Sequence, residues 1–402
     1  MQRLQSGRYP QLINDDNGVF MEHVLLVYQE LIPSAVLCGH AQLQWLAKQN
    51  KIEYKNSRVF NVTSELLSWA DVFIIVRGAL EIDLFLAKLA KKAGKRLVYI
   101  LDDDLLNVPA HIASAPFYNR RKTQKMIREI MNLCDCFASP SPKLLEKYGG
   151  QFKEIAIIEE PALFRGTIAE KKSEKINLCF AGSLDRTKDL EALISDVIRR
   201  LINEYGERIT VTFFGAKPAI VEECGLRYLD YVKDYTAYTA VMSKQGFDIG
   251  LAPMIPTEFS SCKHYNKFIE YASYGIVGVY SDVIPYKRAV RNRENGMLCE
   301  NNADAWYEAI AALIDDPGLL ERMRNQCLKE IETVYAIETV SEQYYESVCR
   351  VKSFIDSSTI KSIDLWVFYF KVKQFISRCW NYGVRKIRKW LRRSDYTDDK
   401  TK

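Results

Sequence analysis

The chain has 402 residues, 48% of them hydrophobic and 27% charged, with a net charge of +5. That length exceeds one ordinary core and predicts two domains, and the composition is that of a globular protein, not a disordered or fibrous one. So mild a positive balance gives no reason to expect nucleic acid as a partner.

Residues 1–20 are polar and predict a flexible N-terminal segment without a secretory leader. No apolar run reaches the roughly 20 residues that span a bilayer. From HVLLVY (23–28) onward, short apolar runs alternate with amphipathic segments. VFNV (59–62), VFIIV (72–76) and LVYIL (97–101) read as buried strands, being β-branched and apolar on both faces. EIDLFLAKLAKKAG (81–94) reads as a helix, closing on lysines and a glycine. This alternation predicts a parallel sheet covered by helices, placed over 21–168.

After the linker-like AEKKSEK (169–175) a second series begins, with strands NLCFAG (177–182), ITVTFFG (209–215), FDIGLAP (247–253) and IVGVYS (276–281). Helical patterns over 189–206 and 302–331 cover them, which predicts a second domain over 169–345. The expected fold class is α/β, two Rossmann-like doubly wound units facing across a cleft. Open sheets of this kind bind ligands beyond the carboxyl ends of their strands. The ten cysteines lack paired metal spacing, so no metal site is expected. Several, such as Cys136 and Cys179, sit inside apolar runs and read as small core residues of a protein from a reducing compartment.

Residues 346–402 predict a return helix and a basic amphipathic tail. Leu365, Phe368, Val372, Phe375, Cys379, Gly383, Ile387 and Trp390 follow helical spacing, amid Lys371, Lys373, Arg378 and further basic residues. A basic helix with bulky apolar residues reads as an anchor for anionic lipid over 360–394; the plainer reading is a docked helix with solvated charges.

Three stretches could carry chemistry. AGSLDRTKDL (181–190) brings Gly182, Ser183, Arg186 and Lys188 to a strand–helix turn, where glycine permits close approach and the cations suit a diphosphate. FDIGLAPMIPTEFSSCKHYNKFIEYASYG (247–275) offers Lys263, Lys267 and Glu270, which share one face if the segment is a single helix. The lysines would meet phosphate and Glu270 a ribose, or the three form a solvated stripe. LDDDL (101–105) sets Asp102, Asp103 and Asp104 at the end of a strand, able to orient sugar hydroxyls, bind a cation, supply a base or cap a helix.

The order G-S-x-x-R-x-K-D, D-I-G-L-A-P, E-Y-A-x-x-G and G-M-L resembles the donor half of GT-B glycosyltransferases, family 4-like. That resemblance covers 176–345 well and 23–165 only in pattern. It implies that Lys188 takes the place of the family's diphosphate-binding lysine, with Ser183 where the family has arginine and Arg186 as a substitute from the loop. It implies that Glu270 is the second glutamate of E-x7-E and holds the donor ribose. The first glutamate is replaced by Cys262. On the acceptor side, Gly39 and His40 stand for the family's glycine-rich loop, and Asp102 to Asp104 lie near its histidine.

The activity so implied is transfer of a sugar from a nucleoside diphosphate sugar to a glycan acceptor, lipid-linked in view of the tail, in cell-surface polysaccharide assembly. It would be retaining, with no metal and no cofactor beyond the nucleotide sugar, and with Lys188 and Glu270 central to the reaction. If the enzyme inverts, Asp102 or Asp103 is the expected base. The enzyme would work in the cytoplasm on the inner face of the membrane. A GT-B nucleotide-sugar epimerase and a non-catalytic nucleotide-binding scaffold are the alternatives.

Overall fold

The computed structural model describes residues 21–164, 174–351 and 363–379. Two six-stranded sheets, all parallel, form the two expected units. The first contains β1 (Glu22–Tyr28), β2 (Ile52–Arg58), β3 (Val72–Val76), β4 (Arg96–Ile100), β5 (Cys136–Ser139) and β6 (Glu154–Ile157), in the order β2-β1-β3-β4-β5-β6. The second contains β7 (Ile176–Gly182), β8 (Ile209–Gly215), β9 (Arg227–Leu229), β10 (Ile249–Ala252), β11 (Val277–Ser281) and β12 (Met297–Cys299), ordered β12-β11-β10-β7-β8-β9. Numbered within its own unit, the second order is 3-2-1-4-5-6 against 2-1-3-4-5-6 in the first, so both sheets are doubly wound but the third strand joins at a different place.

The central strands are buried along their length, as VFIIV and RLVYI require. One expected strand fails: VFNV is not a strand but a 3-10 turn, Val59–Asn61. The strand before it is IEYKNSR, which has a polar, partly exposed pattern because it lies at the sheet edge. The helical pattern over 189–206 is two helices, Thr187–Leu193 and Ser195–Tyr205, and that over 302–331 is Ala303–Asp315 and Pro317–Thr333. Asp316 separates the latter pair and caps the second helix, its carboxylate accepting from Leu319 N at 2.8 Å. Eight of the ten cysteines are buried; Cys224 and Cys379 are exposed.

The chain returns to the first unit through the helix Ile337–Tyr344, earlier than residue 346. There Tyr344 Oη donates to Cys38 O at 3.2 Å. The expected unit boundary at 168 lies outside the described residues. The tail is helical over 364–379. Ile363 and Val367 are buried against the first unit, and Phe85 stands 5.8 Å from the Trp366 ring and 5.6 Å from Phe370. Leu365, Phe368, Val372 and Phe375, the anticipated stripe, face outward. Gly383, Ile387 and Trp390 lie outside the described residues. No described helix is long and apolar enough to cross a membrane.

Candidate active site

The carboxyl ends of the two sheets meet at a cavity of about 250 Å³. Gly182 and Ser183 end β7, Phe214 and Gly215 end β8, and Tyr231, Lys233 and Tyr235 follow β9 on one wall. The strap Glu160–Phe164 and Pro33 and Leu37, which follow β1, close the other. Gly215 has φ +90° and would bring a Cβ to 2.1 Å from Gly182 O, so only glycine lets β7 and β8 end this close together.

The stretch 258–275 is not one helix. It forms a short helix Glu258–Ser261, a break at 262–265, and a helix Asn266–Ser273. The break moves Lys263 off the face shared by Lys267 and Glu270, so the three charges do not form one stripe. Lys267 and Glu270, three residues apart on the second helix, do pair: Lys267 Nζ lies 2.8 and 2.7 Å from the two Glu270 oxygens. Glu270 also accepts from Tyr238 Oη, and all three side chains line the cavity. Burial, with the Glu270 charge beside it, pushes the Tyr238 hydroxyl well above its ordinary pKa, so Tyr238 stays a donor that orients Glu270. Arg186 pairs with Asp189 at 2.8 Å. Lys188 is exposed and does not line the cavity; it sits at the start of a helix whose inner face is Leu190.

Lys263 instead reaches across the cleft. Its Nζ meets Asp103 Oδ1 at 2.8 Å, tying the end of β10 to the end of β4. Arg77 forks onto the same acids, with Nη1 3.2 Å from Asp102 and Nη2 3.5 Å from Asp103. Its backbone holds φ +52°, an uncommon conformation for a non-glycine residue that aims the side chain at the cluster. Burial works against the Asp103 charge, but Lys263 and Arg77 outweigh it and hold the carboxyl at about 2. Asp104 is fully buried and faces away from the cavity, taking Lys147 at 2.8 Å, Tyr148 Oη at 2.6 Å and Asn107. It is a fastening inside the first unit and not an acceptor contact. Lys147 then reaches Glu258 of the second unit at 3.2 Å.

Gly39 and His40 stand apart from the cavity. Gly39 is packed beneath Tyr344, and His40 Nδ1 lies 2.7 Å from Tyr54 Oη, where burial lowers its pKa. The chain's approach to the cleft comes instead through Pro33 and Leu37. Cys262 is buried in the apolar core of the first unit. Among the described residues no three His, Cys, Asp or Glu side chains are grouped to hold a metal ion.

Residues that sequence reasoning missed complete the site. Arg77 directly follows the buried strand VFIIV, and a charge there was the signal available. Glu159 and Glu160 precede Pro161 at the crossing between units. Glu159 accepts from Tyr265 Oη at 2.6 Å and lies 2.8 Å from His264 Nε2. Glu160 accepts from the Cys38 thiol at 3.2 Å, and burial raises its carboxyl to about 7. His264 is itself buried; burial opposes its charge, but Glu160 and Glu159 raise its pKa overall.

Comparison with known proteins agrees with this geometry. Residues 175–316 match the family model described as glycosyl transferases group 1. HepE of Anabaena, solved with UDP and glucose, superposes with a TM-score of 0.57 at 14% identity, over 82% of this chain and 100% of that one. Sucrose-phosphate synthase of Thermosynechococcus elongatus gives 0.57 at 11% identity, over 81% and 98%. The lipopolysaccharide outer core galactosyltransferase WaaB gives 0.52 at 13%, over 81% and 99%. No curated protein sequence matches. The chain has the GT-B fold and most of its second unit matches the group 1 glycosyltransferase model, which together support a glycosyltransferase that uses nucleotide sugars.

Proposed function

We propose that the chain transfers a sugar, with retention, from a nucleoside diphosphate sugar to a lipid-linked glycan acceptor in cell-surface polysaccharide assembly, at the inner face of the cell membrane. The observation that carries the donor half is Glu270, held by Lys267 and Tyr238 on a cavity wall that also presents Gly182, Ser183 and Lys233. A carboxylate so fixed suits vicinal ribose hydroxyls, and Tyr231 and Tyr235 offer flat apolar surface to a base. Lys267, Lys233 and Arg186 would meet the charge that develops on the departing diphosphate, where fixed positive groups in a half-buried site count for most. On this reading no metal or further cofactor is needed, and Lys188 acts only if the loop 183–188 folds inward over the nucleotide.

The lipid half rests on the tail. Leu365, Phe375, Phe368 and Trp366 are 78, 68, 62 and 55% exposed, on a helix that also carries Lys371, Lys373 and Arg378. Exposed apolar residues of this size mark an interaction surface, and the basic residues favour an anionic bilayer. Calorimetric titration with UDP and other nucleoside diphosphates tests the donor site: tight binding of one of them, lost in Glu270→Ala, is expected, and indifference to that change would refute it. For the tail, removing 360–402 should abolish co-sedimentation with phosphatidylglycerol vesicles.

A further inference from the structure

Cys262 lies at the break between two helices and in the core of the first unit, so this stretch puts no carboxylate on the cavity wall ahead of Glu270. Cys262 is fully buried beside Lys147 and Asp104, so no small rotation brings its side chain to the cavity. A carboxylate nevertheless stands on the cavity wall, supplied by a different part of the chain. Glu160, on the strap that crosses from β6 to the second unit, lines the cavity together with Gly182, Ser183, Asn266 and Lys267. Its side chain is 2% exposed. Oε1 accepts from Cys38 Sγ at 3.2 Å, while Oε2 is buried and has no hydrogen-bond partner.

The neighbours explain why Oε2 is left open. His264 Nδ1 stands 3.9 Å from it, beyond hydrogen-bond reach, and is itself 2.5 Å from Asn266 Oδ1. The adjacent Glu159 is already engaged by Tyr265 and by the other face of His264. The cluster therefore holds Glu160 through Oε1 alone and leaves Oε2, on a residue that lines the cavity, without a partner. A buried carboxylate oxygen without a partner is costly, and native proteins keep such groups where something else completes them. A hydroxyl is the fitting complement, because it donates one hydrogen bond and adds no charge to a wall that already holds Glu270.

We propose that Glu160, on the inter-unit strap, receives a hydroxyl of the transferred sugar. This rests on the donor-site reading, in which Glu270 holds the nucleotide; Glu160 then holds the sugar and decides which sugar is accepted. Because it belongs to the crossing between units, the contact forms only when the two units stand as close as they do here.

The test compares Glu160→Gln and Glu160→Asp with the unaltered full chain. Titrations use UDP, UDP-glucose, UDP-galactose and UDP-N-acetylglucosamine, with GDP and GDP-mannose alongside. Expected is a nucleoside diphosphate affinity within twofold of the original in both variants. The extra affinity conferred by the preferred sugar should fall at least tenfold in Glu160→Gln and less in Glu160→Asp. A thermal melt confirms that each variant is folded. Equal loss for nucleotide and nucleotide sugar would mark Glu160 as a structural support and overturn the proposal, as would no loss for either. Failure of the unaltered chain to bind any of these probes would overturn the donor-site reading and this inference with it. Glu270→Ala separates the two, since it should cost affinity for the bare nucleotide as well.

Discussion

Replacing Lys263 by methionine tests whether charge across the cleft sets the state of the acid cluster. The ordinary aspartate pKa is about 3.9, and Asp103 stands at about 2, below it by roughly two units. At about 1.4 kcal/mol per unit, the ionised form is stabilised by roughly 2–3 kcal/mol relative to the unfolded chain. The sign follows from a depressed carboxylate: the stabilisation is present above about pH 4 and lost as the pH falls through 2. Lys263 and Arg77 share it, Lys263 ahead of Arg77, so losing Lys263 should cost roughly 1–2 kcal/mol at pH 7. Both partners are about one-quarter exposed or less, so solvent screening takes only a modest part. Methionine keeps the apolar stem over Phe259, whose ring centre lies 4.7 Å from Lys263 Nζ. Urea unfolding followed by tryptophan fluorescence at pH 7, 5 and 3 should show a deficit that shrinks as Asp103 takes up its proton. A deficit of the same size at every pH would refute the electrostatic argument and leave packing as the role of Lys263.

Asp104→Ala strips a fully buried carboxylate from Lys147, Tyr148 and Asn107; it should cost about 1–3 kcal/mol, read as a lowered melting temperature, because the Tyr148 hydroxyl and Asn107 amide lose their acceptor while Lys147 keeps Glu258. Gly215→Ala forces a side chain into a left-handed backbone at +90° and onto Gly182 O, so it should destabilise the second unit by roughly 2 kcal/mol or more and be visible in the same melt. Tyr238→Phe removes the donor to Glu270 but keeps the ring against Phe214, 5.0 Å away. The expected result is a nearly unchanged melt and a donor KM raised about tenfold or more, from the roughly 1.5 kcal/mol or more of one hydrogen bond to a charged group.

The architecture was readable wherever burial was symmetrical. VFIIV, LVYIL, NLCFAG and IVGVYS are covered on both faces, and runs of that kind advertise parallel strands. Short strands such as Met297–Cys299 and Arg227–Leu229 contain too few residues to show any period, and the edge strand Ile52–Arg58 is polar because solvent reaches it. Glu270 was legible through a local motif. Arg77, Glu160 and His264 were not, because their meaning depends on partners 25 or more residues away: Asp102 for Arg77, Cys38 for Glu160 and Glu159 for His264. Lys263 shows the opposite error. Periodicity placed it on a helix with Glu270, yet the break at 262–265 sends it to an aspartate 160 positions earlier in the chain.

The settings of these carboxyls bear on the course of the reaction. A base that takes a proton from an attacking hydroxyl works best with a pKa near the working pH. Asp103, held at about 2 by two cations, is a weak acceptor, and its charge is already spent on Lys263 and Arg77. Glu160, raised to about 7 by burial, has the better value, but its side chain on the cavity wall is almost wholly buried, with one oxygen on Cys38. Asp102 keeps a buried free oxygen while its other is taken by Arg77. None of the three is an exposed base beside the cavity, which supports the retaining course, where the departing diphosphate itself can accept the proton. Proton NMR of the first product formed from an α-linked nucleotide sugar should therefore show an axial-to-equatorial coupling of a few hertz, as in the donor. A β-linked first product would refute this and return Asp102, freed by a movement of Arg77, as the base.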